Sequence, residues 1–138
     1  MGTSRGEIIK SSDQGGSWQT LNRFNSRIDK IVISPVNPKV ILVGAYAKGF
    51  FRSLDGGVNW TDLKDKLASF GGGRSLRDFV MVKAEKPTVF LATNYDLIKS
   101  TDDGDTWSRI ELIIEKARIK INAIAVNSSN LNEIYYIT

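Results

Sequence analysis

Apolar residues in this chain come in short runs that alternate with polar ones at period two, the spacing of half-buried strands rather than helices. One set is Ile31-Val32-Ile33, Val80-Met81-Val82 and Ile124-Ala125-Val126. A second, richer in β-branched and aromatic residues, is Val40-Ile41-Leu42-Val43, Val89-Phe90-Leu91-Ala92 and Ile134-Tyr135-Tyr136-Ile137. Gly, Asn, Asp and Pro clusters such as Ser34-Pro35-Val36-Asn37-Pro38 separate the runs and mark turns. The pattern predicts strands over 7–11, 18–21, 28–34, 40–45, 49–53, 60–63, 77–83, 88–93, 96–100, 107–110, 119–126 and 134–138. Only Arg109 to Lys120 carries a helical turn's worth of periodicity, and it is read as a loop insertion between strands.

The runs belong to a repeat. Ser11-Ser12-Asp13-Gln14-Gly15-Gly16-Ser17-Trp18 has the form S-x-D-x-G-x-x-W, and Ser53 to Trp60 and Ser100 to Trp107 repeat it. The three serines stand 42 and 47 residues apart. An apolar pair and a basic residue precede each copy: Ile8-Ile9-Lys10, Phe50-Phe51-Arg52 and Leu97-Ile98-Lys99. Four short strands in a period of about 45 residues is the arithmetic of a propeller blade. The fold class is therefore expected to be all-β, a β-propeller segment. With strands lettered A to D outward from the central channel, residues 28–76 make one blade and 77–118 a second. Residues 1–27 supply C and D alone, and 119–138 supply A and B alone, for three blade equivalents in a single domain.

The S-x-D-x-G-x-x-W motif resembles the Asp-box, or BNR repeat, of sialidases, sortilin-type receptors and many bacterial propellers. The resemblance implies that each box forms the hairpin between the third and fourth strands of a blade, on the rim away from the binding face. The residues suit that task. Asp13, Asp55 and Asp102 can accept backbone N–H groups of their own turn, with Ser11, Ser53 and Ser100 beside them. Gly15, Gly57 and Gly104 supply left-handed backbone, and Trp18, Trp60 and Trp107 a large ring to pack beneath the turn or between blades. These twelve residues are assigned to structure, not to calcium binding or acid catalysis.

Three blades do not close a ring, since propellers use about four to eight. The B edge at the C-terminus and the C edge at the N-terminus would be left as apolar strand edges. Strands A and B of one copy can complete a blade with C and D of another, so the expectation is a six-bladed homodimer with two inter-chain blades. Met1-Gly2-Thr3 and Thr138 fall at the same phase of the repeat, which a random cut through a longer propeller would rarely give. A deliberately cut piece, a deletion to half a propeller, the half from which a whole one is duplicated, and a designed chain all fit.

Composition narrows the chemistry. The 138 residues hold 19 Lys and Arg against 15 Asp and Glu, a net charge of +4 spread along the chain, so nucleic acid is not implied. There is no cysteine and no histidine, which excludes disulfides, thiolate or histidine metal sites, thiol nucleophiles and a Ser-His-Asp triad. No cofactor or metal is expected. No apolar run reaches membrane-span length, residues 1–10 lack a signal peptide's apolar centre, and the compartment stays open. Asn59-Trp60-Thr61 and Asn127-Ser128-Ser129 match the glycosylation sequon, the first with a tryptophan expected to pack.

In the propeller family ligands meet the face built from the D-to-A and B-to-C loops. Here those are Asn22 to Arg27, Lys64 to Leu76, Glu111 to Arg118, Tyr46 to Lys48, and Asn94 to Tyr95. The possible ligand face is Arg27, Arg74, Arg77, Arg118 and Lys120 for an anion, with Tyr46, Asn94 and Tyr95 for stacking and hydrogen bonding to a sugar. Gly71-Gly72-Gly73-Arg74 lacks the lysine and the strand-to-helix setting of a phosphate loop. The resemblance to sialidases implies three arginines on a carboxylate, a tyrosine nucleophile with a glutamate, and an aspartate acid. No such constellation is matched here, nor the paired aspartates of Asp-box hydrolases of plant glucans. Asp29 and Asp78 align near the start of strand A as the candidate acid or base. The reading is a non-catalytic binding or assembly module with a glycan or protein partner; a glycoside hydrolase and a ligand-free self-assembling scaffold are the alternatives.

Overall fold

The computed structural model describes residues 1–71, 76–113 and 120–138, and all regular structure among them is strand. In chain order these are β1 (Glu7–Lys10), β2 (Gln19–Arg23), β3 (Ile28–Ile33), β4 (Ile41–Ala45), β5 (Gly49–Ser53), β6 (Thr61–Asp62), β7 (Asp78–Val82), β8 (Thr88–Ala92), β9 (Leu97–Ser100), β10 (Ser108–Ile110), β11 (Ala123–Val126) and β12 (Ile134–Ile137). They pair as antiparallel meanders in sequence order: β1-β2, β3-β4-β5-β6, β7-β8-β9-β10, and β11-β12. The all-β expectation holds. Arg109 to Lys120 is strand at its start, and residues 114–119 lie outside the described residues.

Each sheet packs its face on the next. β4 and β8 are buried at every position because both their faces are covered, which is why their sequences read as continuous apolar runs. Leu42 and Phe50 of the first four-stranded sheet, with Leu63 just after β6, meet Phe79, Val89, Leu91 and Ile98 of the second. The Phe50 and Phe79 rings lie 4.8 Å apart at 66°. Leu67 joins this core from the loop after β6, where its N–H donates to the Leu63 carbonyl at 3.1 Å. The second sheet packs through Phe90 and Leu97 on Ile121 and Ile124, and β1-β2 packs through Ile8 and Leu21 on Ile41, Val43 and Phe51.

The three S-x-D-x-G-x-x-W turns join β1 to β2, β5 to β6 and β9 to β10. In the second, Asp55 accepts the amides of Val58 at 3.0 Å and Asn59 at 2.9 Å, the Asn59 side-chain amide at 2.7 Å and the Ser53 hydroxyl at 2.8 Å. Ser53 Oγ in turn accepts the Gly57 amide at 2.8 Å. Two consecutive residues are left-handed in each turn: Gln14 and Gly15, Gly56 and Gly57, Asp103 and Gly104. The motif marks only the second of them. Trp60 and Trp107 donate Nε1–H to the Gly57 and Gly104 carbonyls at 3.0 and 3.1 Å and sit half-buried, whereas Trp18 is 54% exposed.

These bonds hold the three aspartates ionised, at a pKa of about 2 against an ordinary 3.8. Ser17's hydroxyl is the main cause at Asp13 and the Asn59 amide at Asp55; at Asp102 burial pushes upward and the Thr106 hydroxyl and amide outweigh it. A lowered folded-state pKa stabilises above the unfolded value, so this contribution is present above 3.8 and lost as pH falls through about 2. Melting temperature is expected to drop across that interval, and less steeply with all three aspartates changed to Asn. A profile that is flat there, or equally steep in the Asn variant, contradicts the turn geometry. Asp103 works the other way: burial raises its pKa, and its Oδ1 is buried with no partner among the described residues.

The N-terminal edge differs from expectation. It is not bare, because Met1-Gly2-Thr3 lies along β1. The Met1 ammonium donates to the Ile9 carbonyl at 2.8 Å, the Ile9 amide to the Met1 carbonyl at 2.9 Å, and the Thr3 amide to the Glu7 carbonyl at 3.0 Å. Gly2 stands opposite Ile8 as Gly44 stands opposite Phe50, so the strip has the register of a strand ending beside β1. At the other end β12 pairs with β11, turning Ile134 and Tyr136 toward the core while Tyr135 and Ile137 are 64% and 65% exposed.

Candidate functional site

β3 and β7 begin, and β4 and β8 end, along one edge of the two four-stranded sheets. A pocket of about 270 Å³ opens on that edge, lined by Asp29, Ala45, Tyr46, Ala47, Leu76, Arg77 and Asn94. The strands fix its walls, and the short loops after β4 and β8 aim Tyr46 and Asn94 into it. Ala47 takes φ 53°, a left-handed conformation that lets three residues reverse the chain between β4 and β5.

Arg77 is held at both ends. Its amide donates to the Ala92 carbonyl at 2.9 Å, and its Nε donates to Asn94 Oδ1. That bond fixes the flip of the Asn94 amide and leaves the guanidinium's outer N–H groups for a ligand. Arg27 stacks its guanidinium on Tyr46, 4.6 Å from the ring centre, while its Nε pairs with Asp29 Oδ1 at 2.7 Å. Tyr46 is 58% exposed, offering its ring to the pocket mouth.

Of the eight residues singled out in sequence for this face, Tyr46, Arg77 and Asn94 line the pocket and Arg27 braces it. Tyr95 is half-exposed but outside the lining, and packs near Gly71, whose amide donates to Asp96 at 2.7 Å. Lys120 is exposed and is not among the lining residues. Arg74 and Arg118, with Gly72 and Gly73, lie outside the described residues.

Asp29 and Asp78 do not share a position. The ladder shifts between Ile28 and Lys30, so Lys30 stands opposite Gly44 and Asp78 opposite Ala92, which makes Lys30 the register equivalent of Asp78. Asp29 sits in the shift and reaches the pocket. Asp78 instead accepts Lys30 Nζ at 2.6 Å, the Ile124 amide at 2.9 Å and its neighbour Phe79's amide at 2.9 Å. One carboxylate thereby ties β3, β7 and β11 together. Among the described residues the pocket has a single carboxylate, already paired with Arg27, where glycoside hydrolysis uses two, about 5–9.5 Å apart. No three acidic side chains among them converge as metal ligands would.

No family model and no curated protein matches the chain. Solved structures do. An ancestral GH74 enzyme superposes with a TM-score of 0.76 over 97% of this chain at 15% identity. The GH74 xyloglucanase from Xanthomonas campestris gives 0.66 over 89% at 15%, and the Niastella koreensis GH74 enzyme 0.63 over 90% at 20%. GH74 enzymes are β-propellers. The fold is a β-propeller segment. It spans about one fifth of the length of those enzymes, matching 19–21% of their chains.

Proposed function

We propose that this propeller segment is a non-catalytic binding module, built on three Asp-box turns, that takes a carboxylate-bearing saccharide in the pocket at Tyr46, Arg77 and Asn94. The convergence of those three side chains from separate loops carries the reading. Arg77 suits a carboxylate because its guanidinium forks toward two oxygens and is pre-set by Asn94. Tyr46, stacked on Arg27, suits the apolar face of a sugar ring. A single neutralised carboxylate favours binding over hydrolysis. A second reading, a glycan-active segment, draws support from the enzymes it resembles in fold, one of which is a xyloglucanase.

The test is an NMR titration with glucuronate, with glucose as the neutral control. Amide shifts are expected at Tyr46, Arg77 and Asn94 with glucuronate, and Arg77→Glu is expected to weaken binding at least tenfold, the loss of a charge-assisted bond of about 1.5–3 kcal/mol. Equal affinity in wild type and Arg77→Glu removes the pocket from the account. Release of reducing ends from xyloglucan by the purified chain decides for the hydrolytic reading.

A further inference from the structure

A second cavity, of about 520 Å³ and largely apolar, lies beneath β1-β2 and against the first four-stranded sheet. Ile31, Ile33, Ile41, Ile8, Leu21 and Trp18 line it. The intact contact between the two four-stranded sheets shows what such a space receives. There Leu42 of β4, opposite Val32, packs on Phe79, Val89 and Leu91. By ladder register Phe79, Met81, Val89 and Leu91 correspond to Ile31, Ile33, Ile41 and Val43. The receiving surface is thus present in the first sheet with nothing from a preceding sheet's first two strands upon it.

The same register identifies the inserting surface. Tyr135, opposite Ala125 in β12, takes the position of Leu42, and Ile137 that of Gly44. Leu42 is fully buried where Tyr135 and Ile137 are 64% and 65% exposed, although all three occupy the face that meets a following sheet. The β11-β12 hairpin is preformed for the role: Glu133 bridges its turn, accepting Asn127 Nδ2 at 2.7 Å and Asn130 Nδ2 at 2.9 Å. A third mismatch agrees. Leu21 lies against Gly57 and Leu63 against Gly104, but Gly15 meets only its own Trp18, and Ile110 has no described turn glycine before it.

We infer that the groove seats the β11-β12 hairpin of a second copy of this chain, which enters by displacing the Met1–Thr3 strip. The displacement follows from register. Laid beside β1 as β4 lies beside β5, the incoming Ile137 stands opposite Ile8, the place Gly2 holds. The strip's three backbone bonds to β1 give way to a longer ladder, and Tyr135 enters the slot between Ile31 and Ile41. Ile110 of the second copy meets Gly15 and covers Trp18. Two reciprocal insertions turn both two-stranded sheets into four-stranded ones.

Sedimentation equilibrium at micromolar concentration, with tryptophan emission followed by dilution, tests this on the full chain. Twice the chain mass is expected, with emission shifting red as dilution exposes Trp18. Tyr135→Lys on the inserting face and Ile33→Lys in the groove each add a charge at an exposed position of the single chain, so each is expected to stay folded by circular dichroism and run as a monomer. Gly2→Val places its Cβ 2.5 Å from Ile28 Cγ2, loosens the strip and is expected to tighten association about tenfold. A folded wild-type monomer overturns the inference and leaves the groove to a different blade. A dimer untouched by Tyr135→Lys and Ile33→Lys overturns it too, and Gly2→Val without tighter association overturns the displacement. The glucuronate pocket is on another edge, so these outcomes are independent of the titration.

Discussion

Phe79→Ala is expected to cost the chain about 3–5 kcal/mol, the range for emptying a fully buried aromatic site. Phe79 is inaccessible to solvent and sits where β7 starts, on the face turned to the preceding sheet. Its ring meets Phe50 edge-on and carries Lys30 Nζ 5.6 Å from its centre, and together with Leu76 it crowds Gly44, where an added Cβ would meet a Leu76 methyl first and then Phe79 Cε1 at 3.0 Å. The close approach at Gly44 means the sheets have little freedom to collapse into the void, which puts the cost toward the upper end. Denaturant unfolding measures it, with Val58→Ala, 76% exposed, as a control expected within about 0.5 kcal/mol of wild type. A loss below about 1 kcal/mol for Phe79→Ala would mean that the two sheets do not meet through this ring.

Asp78→Ala is expected to cost about 2–3 kcal/mol, because it strands donors rather than merely deleting a contact. Asp78's side chain is 16% exposed and accepts Lys30 Nζ from β3 and the Ile124 amide from β11. Removing it leaves a half-buried ammonium and a β-strand amide without their acceptor. Asp78→Asn keeps one acceptor oxygen and is expected to recover part of the loss. Amide hydrogen exchange supplies the specific signature: Ile124 is expected to exchange faster in Asp78→Ala while the amide of Val43, inside the first sheet, keeps its rate. Unchanged exchange at Ile124 would show that the carboxylate does not hold β11.

The strands and their order were legible in the sequence because one period-two pattern and one turn motif recur, and each recurrence constrains the others. What escaped it was set by chain geometry without a repeating residue type. The left-handed position before each turn glycine is filled by Gln14, Gly56 and Asp103, three residues with no shared chemistry. Counting along the chain aligned Asp29 with Asp78, but the shift between Ile28 and Lys30 displaces Asp29 by one place, sending it to the pocket and Asp78 into a three-strand clasp. Leu67, inside a polar loop, gave no sign that it plugs the core.

The pocket was legible in part. Tyr46, Arg77 and Asn94 converge because they follow or precede strands at the same phase of neighbouring sheets. Tyr95, one residue beyond Asn94, turns away, which side-chain alternation at a loop tip does not predict. The strip at Met1–Thr3 was also missed, since three residues are too short to show periodicity; only the repeat phase of Thr3, Ala45, Thr93 and Thr138 hints at a strand end there.

Nuclear Overhauser contacts in isotope-labelled chain, diluted into a large excess of unlabelled chain, test the row of sheets most directly, because they then report only pairings within one molecule. The account predicts one register three times over, with contacts at Ile31–Val43, Phe79–Leu91 and Ile124–Tyr136, together with Gly2–Ile8 in any dissociated chain and none between β12 and β1. A contact between Tyr136 and Ile9 of the same molecule would contradict it, showing that the polypeptide closes on itself.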